Sequence, residues 1–288
     1  MGRRIGDRKD AKLIRDLDPL HFIMGNIYPN RCDNEAFVSE IIDLTNAMAF
    51  LDKKNEANPE YKYNVFQLIV TTMLKTITLR PKMNRFIANK NYYQRNDVTA
   101  SFIVKKQFSD EGGEGLAVIK AEAGDTLDSL HDKIYKIVSR TRKENTGSST
   151  DDALNIFNKM PRFLSKFLIS VLRLLEKRGW VPQSLIADDP YYASVILSNL
   201  GSIKLHSGYH HLTNWGTTSI FVVVGEIKKR AFYDEEGNVS QRLSVDLGLT
   251  VDERIGDGYY FSKTTKLIKK LLENPELLEE TMTTDVEY

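Results

Sequence analysis

The run Asp252-Glu253-Arg254-Ile255-Gly256-Asp257-Gly258 lies between a strand-like stretch and the segment Tyr259–Leu272, whose apolar spacing predicts a helix. It gathers three carboxylates, one guanidinium and two glycines into seven residues. A charged, glycine-containing turn between two regular elements makes this run the most informative feature of the chain.

The run resembles the Asp-His-Arg-x-x-Asp-Gly signature of the acyltransferases that include the dihydrolipoyl acyltransferases of 2-oxo acid dehydrogenase complexes and chloramphenicol acetyltransferase. Glu253 stands where that family has its catalytic histidine. A chance match at the remaining marked positions would arise in roughly one chain in several hundred. Those positions are Asp252, Arg254, Asp257 and Gly258.

Four further segments resemble the family and follow its order along the chain. Residues 195–201 resemble a strand and turn that carry an oxyanion-binding serine or threonine, a role that falls to Ser198. Residues 211–225 resemble a loop followed by a buried strand, residues 80–86 a turn after the first long helix, and residues 274–278 the C-terminal ending. The resemblance implies a two-layer α/β sandwich of the chloramphenicol acetyltransferase-like kind, with a mixed β-sheet covered by helices, assembled as a trimer.

Length and composition are those of an ordinary globular protein. The 288 residues suit one large domain, which we expect to span the chain with a basic arm at 1–14 and an acidic tail at 279–288. A net charge of +1 gives no general argument for binding nucleic acid. The single cysteine, Cys32, excludes an intramolecular disulfide, and with only five histidines no metal-ligand spacing is recognisable.

Several segments that would change the functional prediction are not found in the sequence. There is no apolar signal sequence, and no apolar run of about 18 residues, so a cytoplasmic location is expected. No lipoyl domain or subunit-binding domain is recognised. We therefore expect a free coenzyme A thioester as the acyl donor, a small-molecule acceptor, no covalently attached lipoyl group and no metal.

Apolar periodicity predicts strands interleaved with helices, which favours a layered α/β sandwich. In the first long strand, Phe37, Ile41 and Leu44 are predicted to be the apolar anchors. Helices are predicted at 17–28, 64–79, 128–142 and 153–177, strands at 36–43, 91–95, 101–106 and 115–121, a turn at 109–113 and a capping loop at 147–151.

Acyl transfer from a thioester needs a base for the attacking group and a donor for the developing oxyanion. The resemblance implies that Glu253 is the base and Ser198 the donor, brought together where two subunits meet. Glutamate is ordinarily less basic than histidine by about two pKa units, or roughly 3 kcal/mol, although burial raises carboxyl pKa values. The alternative is that Glu253 pairs with Arg254 or a neighbouring chain, in a binding or scaffold protein that keeps the fold without the chemistry.

A second group of candidates follows the predicted serine strand. His206, His210 and His211 are alternative bases, because histidine is the side chain best matched to proton transfer near neutral pH. The simpler interpretation is exposed loop histidines, or one ring held by a backbone carbonyl. We assign His210 and His211 to the acceptor pocket, with Asn199 and Gly258 as further substrate contacts.

Asp257 has two compatible roles. In the family it is a structural carboxylate paired with an arginine near the N-terminus, for which Arg15 and Arg31 are the candidates. It also fits the N-cap of the following helix, with Gly258 relaxing the turn.

The segment 153–180 departs from the family, whose corresponding stretch is shorter and carries a glycine-rich strand. It is apolar on most faces, with basic residues spaced along it. Three interpretations remain open: a buried helix whose basic side chains reach the surface, a lid over an acyl chain, and a helix lying on a membrane surface. The buried helix is the commonest origin of such a pattern, so membrane contact is not expected.

Overall fold

The computed structural model describes residues 4–105, 114–143, 159–182, 186 and 189–288. The predicted turn at 109–113 and the capping loop at 147–151 lie outside these ranges, as do the first residues of the helix predicted at 153–177.

The described chain contains ten strands, several of which follow one another directly, and six α-helices. The strands are β1 (Ala11–Leu13), β2 (Glu35–Asp43), β3 (Arg85–Ala88), β4 (Asn91–Arg95), β5 (Val98–Lys105), β6 (Glu114–Ala121), β7 (Val195–Asn199), β8 (Ile220–Val224), β9 (Lys228–Tyr233) and β10 (Val239–Asp252). The α-helices are α1 (Pro19–Ile27), α2 (Thr45–Glu56), α3 (Val65–Leu79), α4 (Leu127–Lys143), α5 (Arg162–Lys177) and α6 (Gly258–Glu273).

The main sheet has the strand order β2-β10-β8-β7-β5-β6, with β9 added to the first part of β10. Strand β7 runs parallel to both β5 and β8, whereas the other neighbouring strands are antiparallel. A small second sheet has the order β1-β4-β3. The predicted α/β architecture with a mixed sheet is confirmed.

Helices α2, α3, α4 and α6 cover one face of the main sheet. Helix α3 is buried along most of its length and begins with a capping box, in which Asn64 and Gln67 each bond the other's backbone N–H. It packs in the main core with apolar side chains from the central strands, including Leu197, Val222 and Leu249. The predicted helix ending before Pro81 is confirmed.

The opposite face of the main sheet, which we call the outer face, is formed by the alternate residues of the same strands. Its centre, with Ile196 and Phe221, packs under Leu212 of the segment 200–216. Towards β2 it leaves Phe37 and Ile41 exposed by 53% and 45%. Choosing those two as buried anchors was therefore wrong.

The buried side chains of this region are Ile42 and Leu44. Both sets of alternate positions in β2 contain apolar residues, so alternation alone does not decide which set faces the helices.

Residues 7–14 of the predicted basic arm pack against the rest of the protein. Ala11 is fully buried in β1, and the Arg8 guanidinium donates a hydrogen bond to the carboxylate of Asp10 and lies 5.2 Å from the centre of the Phe86 ring. The acidic tail is also anchored, because Met282 and Val286 are part of the main core. Apolar side chains spaced among the charges explain why both ends pack.

Helix α5 differs most from its predicted environment. Phe163 and Phe167 are exposed by 77% and 63%, so the expectation of a buried helix is wrong. Within the described ranges, no helix is long and apolar enough to cross a membrane.

Candidate active site

The motif turn, residues 252–258, is fixed by a buried ion pair. Strand β10 ends at Asp252, one 3-10 turn follows, and α6 begins at Gly258. The Arg254 guanidinium donates from Nε and Nη2 to the two carboxylate oxygens of Asp252, at 2.7 and 2.6 Å. Both residues are fully buried. Because a buried two-point ion pair fixes both direction and distance, these two side chains hold the turn on the end of β10.

A second arginine lies against this pair. Nε of the buried Arg31 is 3.9 Å from an Asp252 carboxylate oxygen, and its other nitrogens donate to the backbone carbonyls of Thr213, Gly216 and Ile87. Burial lowers the pKa of Arg31, whereas the Asp252 charge acts to raise it. Asp252 is thus the shared counter-charge that joins the turn to the loop before β8.

Glu253 lies between the two ion-paired residues but faces the other way. Its backbone N–H donates to the carbonyl of Asn34 at 2.9 Å, and its side chain is exposed. The alternative of an ion pair with Arg254 is wrong, because that guanidinium is engaged by Asp252. In the described part of the chain, no hydrogen bond or ion pair engages the Glu253 carboxylate. The turn therefore presents a free carboxylate on a rigid support.

Asp257 caps helix α6. Its carboxylate accepts a hydrogen bond from the backbone N–H of Tyr260 at 2.8 Å, and this bond is the main cause that lowers the pKa of Asp257. Pairing with an N-terminal arginine is wrong: Arg15 binds Asp7, and Arg31 lies beside Asp252. The capping role predicted as the alternative is confirmed.

The glycine after the cap is not required by the backbone of this turn. A Cβ added to Gly258 would meet no atom within 4 Å, and the residue is not in the left-handed region. The prediction that Gly258 relaxes the turn is therefore not supported, because a larger residue would fit at this position.

Ser198 lies near the end of β7, half-buried on the outer face and paired in register with Val223 of β8. Asn199 follows it and holds the next turn: its side-chain oxygen accepts from the Ser202 N–H at 3.2 Å. Its backbone carbonyl accepts from the Ser202 hydroxyl at 2.8 Å. The structure thus gives Asn199 a local structural role, and its role as a substrate contact stays a prediction.

The loop after Ser198 lies directly on the sheet. A Cβ on Gly248 of β10 would be 2.0 Å from the carbonyl oxygen of Gly208, and a Cβ on Gly225 would be 2.5 Å from the Ser207 nitrogen. Only glycine allows a crossing backbone to approach a strand so closely. These glycines therefore allow the loop that follows Ser198 to pack directly on the outer face of the sheet.

His210 is held on the outer face by that loop. Its ring stacks on Phe221 with 4.2 Å between ring centres, and its Nδ1 lies 2.9 Å from the carbonyl oxygen of His211. Because a carbonyl oxygen only accepts, this hydrogen bond requires Nδ1 to be the donor. His211 is exposed, and Nδ1 of His206 is 2.8 Å from Nζ of Lys228. The prediction that one ring is held by a backbone carbonyl is confirmed for His210.

The register separates Ser198 from Glu253 within one chain. Ser198 is level with Val223 and, across β8, with Gly248 of β10. Glu253 follows five residues later, which at about 3.3 Å per residue places it roughly 16 Å along the strands and two strand spacings, about 10 Å, across. The two candidate side chains therefore do not meet in a single copy, whereas His210 lies on the face that carries Ser198.

Across the described ranges, no group of three or more His, Cys, Asp or Glu side chains is placed to hold a metal ion.

Comparison with known proteins finds a likeness over the segment that holds the candidate residues. The family model described as the catalytic domain of 2-oxoacid dehydrogenase acyltransferases matches residues 183–279, roughly a third of the chain. That segment contains the serine strand, the histidine loop and the motif turn. The resemblance seen in the sequence is confirmed there. A comparison with curated protein sequences found no match.

Solved structures extend the likeness to nearly the whole chain. Dihydrolipoamide acetyltransferase from Azotobacter vinelandii is 17% identical with a TM-score of 0.61, over 92% of this chain and 94% of that one. A chloramphenicol acetyltransferase is 11% identical with a TM-score of 0.57, over 91% and 99%. The chain has the chloramphenicol acetyltransferase-like fold.

The same fold is found in the catalytic core of a 2-oxoacid dehydrogenase multienzyme complex from Thermoplasma acidophilum. That core is 18% identical with a TM-score of 0.55, over 92% of this chain and 99% of that one. Sequence reasoning named Arg254 and Arg31 but gave them Glu253 and Asp257 as possible partners, whereas in the structure both lie against Asp252. The role of Asp252 as their shared counter-charge was missed, although Asp252 and Arg254 both match the acyltransferase signature.

Proposed function

We propose that this protein is an acyltransferase that moves an acyl group from a coenzyme A thioester to a small-molecule acceptor. Ser198 binds the oxyanion and Glu253 is the base. The work on the Azotobacter enzyme names a serine, a histidine and an asparagine in its catalytic mechanism. Ser198, Glu253 and Asp257 are the residues that we place in the corresponding roles.

The observation that carries this proposal is the support beneath Glu253. The buried Asp252–Arg254 ion pair and the bond to Asn34 fix the backbone on both sides of an exposed carboxylate. Holding a charged ion pair out of water costs free energy, so a turn built in this way favours a positioned side chain over a passive surface one. Glu253 is the side chain that the turn presents.

The separation of the two residues favours an active site shared between subunits. Neither Ser198 nor Glu253 reaches the other in one chain, and we propose that a trimer brings Glu253 of one copy to Ser198 of the next. Apolar side chains left uncovered on the outer face, such as Phe37, Ile41 and Ile103, support a subunit contact there.

The proposed reaction proceeds by one tetrahedral intermediate. The acceptor's hydroxyl or thiol gives its proton to the Glu253 carboxylate as its oxygen or sulfur attacks the thioester carbonyl carbon. The Ser198 hydroxyl donates a hydrogen bond to the resulting oxyanion. The carbon–sulfur bond then breaks, and the leaving coenzyme A thiolate takes the proton from Glu253. Asp257 acts as a positioning residue, because its cap holds α6 directly after the turn.

A non-catalytic binding or scaffold protein is the second candidate. The observation that favours it is the replacement of the signature histidine by an exposed Glu253. Coenzyme A release from acetyl-coenzyme A with a panel of thiol, alcohol and amine acceptors separates the two. Release that requires an acceptor supports the enzyme, whereas thioester binding without release supports the scaffold.

Mixed trimers test whether the site is shared. Ser198→Ala and Glu253→Gln chains, each expected to be far less active than the parent when alone, are unfolded, mixed in equal amounts and refolded together. If sites form between neighbours, about one quarter of them contain both intact residues, so about one quarter of the parent activity returns. If both residues act in one chain, no activity returns. If Glu253→Gln is fully active alone, Glu253 is not the base, and His210→Gln is the next variant to measure.

A further inference from the structure

Helix α5 presents an apolar stripe to solvent. Phe163, Phe167 and Leu174 are all exposed, although a folded protein usually covers side chains of this size. At about 100° per residue these three positions fall within one narrow sector of the helix. Leu168, Leu172 and Leu175, on another side, are partly covered, so the helix rests on the protein by that side.

A basic stripe lies next to the apolar stripe on the same helix. Arg162, Lys166, Arg173 and Lys177 fall within a second sector of about 60°, on the far side of the apolar stripe from the leucines. All four side chains are exposed. An exposed helix with an aromatic stripe flanked by lysines and arginines is typical of helices that lie at a membrane surface.

Charge is concentrated in this segment against the balance of the whole chain. Residues 159–180 contain six of the 40 Lys and Arg residues and one of the 39 Asp and Glu residues, a net charge of +5. The remaining residues therefore carry 34 basic and 38 acidic groups, a net charge of −4. The one acidic residue of the segment, Glu176, is buried, and burial raises the pKa of its carboxyl group.

The C-terminal end of the helix is fastened to the protein, so the exposed stripes have a fixed direction. The Arg8 guanidinium donates to the carbonyl of Glu176 at 3.1 Å and packs where a side chain on Gly179 would lie. Trp180 follows and is 63% exposed, with the Arg178 guanidinium 5.6 Å from its ring centre. Tryptophan beside a cation suits the boundary between lipid headgroups and acyl chains.

We propose that α5 docks on the surface of an anionic lipid bilayer, with its aromatic stripe at the acyl boundary and its basic stripe among the headgroups. Charge complementarity favours an anionic bilayer over a second copy of the helix. Two α5 segments packed face to face would each carry a net charge of +5 and would repel each other. The helix lies on the bilayer and does not cross it. The inference is independent of the acyltransferase proposal, since it concerns binding and not turnover.

Vesicle flotation tests the docking directly. The full chain is mixed with vesicles of neutral phosphatidylcholine. A second set of vesicles contains about one third anionic phosphatidylglycerol in phosphatidylcholine. We expect binding to the anionic vesicles that weakens as salt is raised, and little binding to the neutral ones. Quenching of tryptophan fluorescence by brominated lipid in the parent, reduced in Trp180→Phe, would place Trp180 at the bilayer.

Matched variants distinguish binding through α5 from non-specific adsorption of the protein to vesicles. The double variant Phe163→Ser/Phe167→Ser should bind anionic vesicles at least about tenfold more weakly, because two exposed rings no longer enter the acyl boundary. Tyr233→Ser/Val239→Ser removes two exposed apolar side chains from the β9–β10 hairpin and should bind like the parent. Lys166→Glu/Arg173→Glu should abolish the preference for anionic lipid.

Three outcomes would overturn the proposal. The first is absence of flotation at low salt, and the second is equal weakening by the hairpin control. The third is a smaller oligomer in the Phe163→Ser/Phe167→Ser variant by mass photometry, which would assign the stripe to a contact between copies. Because α5 meets solvent, circular dichroism should show that every variant keeps the parent fold.

Discussion

The two ends of the central strands are built in different ways. At the end of β10 the turn is tied by a buried ion pair, Asp252 with Arg254, and a second buried arginine. At the opposite end, Ser198 stands half-buried under a loop that approaches the sheet through backbone contacts at Gly225 and Gly248. One end is fixed by charges and the other by close backbone packing.

This difference shows that a signature of consecutive residues divides into two kinds of role. Asp252, the last residue of β10, and Arg254, in the 3-10 turn that follows, are buried, whereas Glu253 between them is exposed. Two of the matched positions therefore build the support, and the unmatched one is presented. The register then keeps Glu253 far from Ser198 within one copy. Substitutions at the Asp252 end should therefore lower stability, whereas substitutions at the Ser198 end should lower turnover.

The largest effect is expected at the charged end. Asp252→Asn keeps the shape but leaves Arg254 and Arg31 buried without their counter-charge, which should lower the free energy of unfolding by about 3 to 5 kcal/mol. Urea denaturation monitored by circular dichroism measures the free energy of unfolding. Arg242→Leu, which breaks the exposed pair with Asp43, is the control and should cost less than about 1 kcal/mol. Equal losses in the two variants would show that the buried pair does not hold the turn.

At the other end the effect should appear in catalysis. Ser198→Ala should raise the barrier for acyl transfer by about 2 to 4 kcal/mol, because the oxyanion loses a hydrogen-bond donor. The ratio kcat/KM for coenzyme A release measures it, and the free energy of unfolding should stay within about 0.5 kcal/mol of the parent. Ser202→Ala, in the adjoining turn, should keep parent activity. A fully active Ser198→Ala enzyme would remove Ser198 from the mechanism.

The backbone packing over Ser198 is tested by two glycines. Gly248→Ala would place a Cβ 2.0 Å from the Gly208 carbonyl oxygen, so the loop must move and stability should fall by about 1 to 3 kcal/mol. Gly258→Ala meets no atom within 4 Å and should be neutral or slightly stabilising. Thermal and urea unfolding of the pair measure the difference. A neutral Gly248→Ala would mean that the loop does not depend on this contact.

The smallest effect is a pH dependence that arises in the helical layer and not at either end. His131 stacks on Tyr63 at 3.9 Å between ring centres, and burial lowers the pKa of its imidazole. The unfolded chain therefore takes up the proton first as the pH falls below about 6.5, and stability is lost from there down to the lower folded pKa.

Melting temperatures at several pH values between about 7.5 and 5.5 test this dependence. The fall on acidification should be smaller in His131→Phe than in the parent, and unchanged in His211→Gln, since His211 is exposed. If His131→Phe loses stability on acidification as fast as the parent, His131 does not contribute. This measurement also separates acid unfolding from any pH dependence of turnover.

Much of the fold follows from local signals in the sequence. The apolar spacing of α3 and α6, the Asp257 cap and the strand patterns of β4 to β6 are short-range signals, and each is confirmed close to its predicted bounds. The hairpin of β9 with β10 and the short strands β1 and β3 were not predicted. Their residues are polar or mixed, and pairing across the chain, not local preference, makes them strands.

The sequence by itself determined that a charged turn joins a strand to a capped helix, and that a serine strand precedes it. Only the tertiary structure decided which charges pair: Arg254 binds Asp252 and not Glu253, and Arg31 reaches Asp252 only when two segments far apart in the chain meet. It also decided that Phe37 faces outward and that α5 is uncovered. The physical reason is the same in each case: a periodic pattern shows which side chains share a face, but what covers that face is set by contacts between residues far apart in the chain.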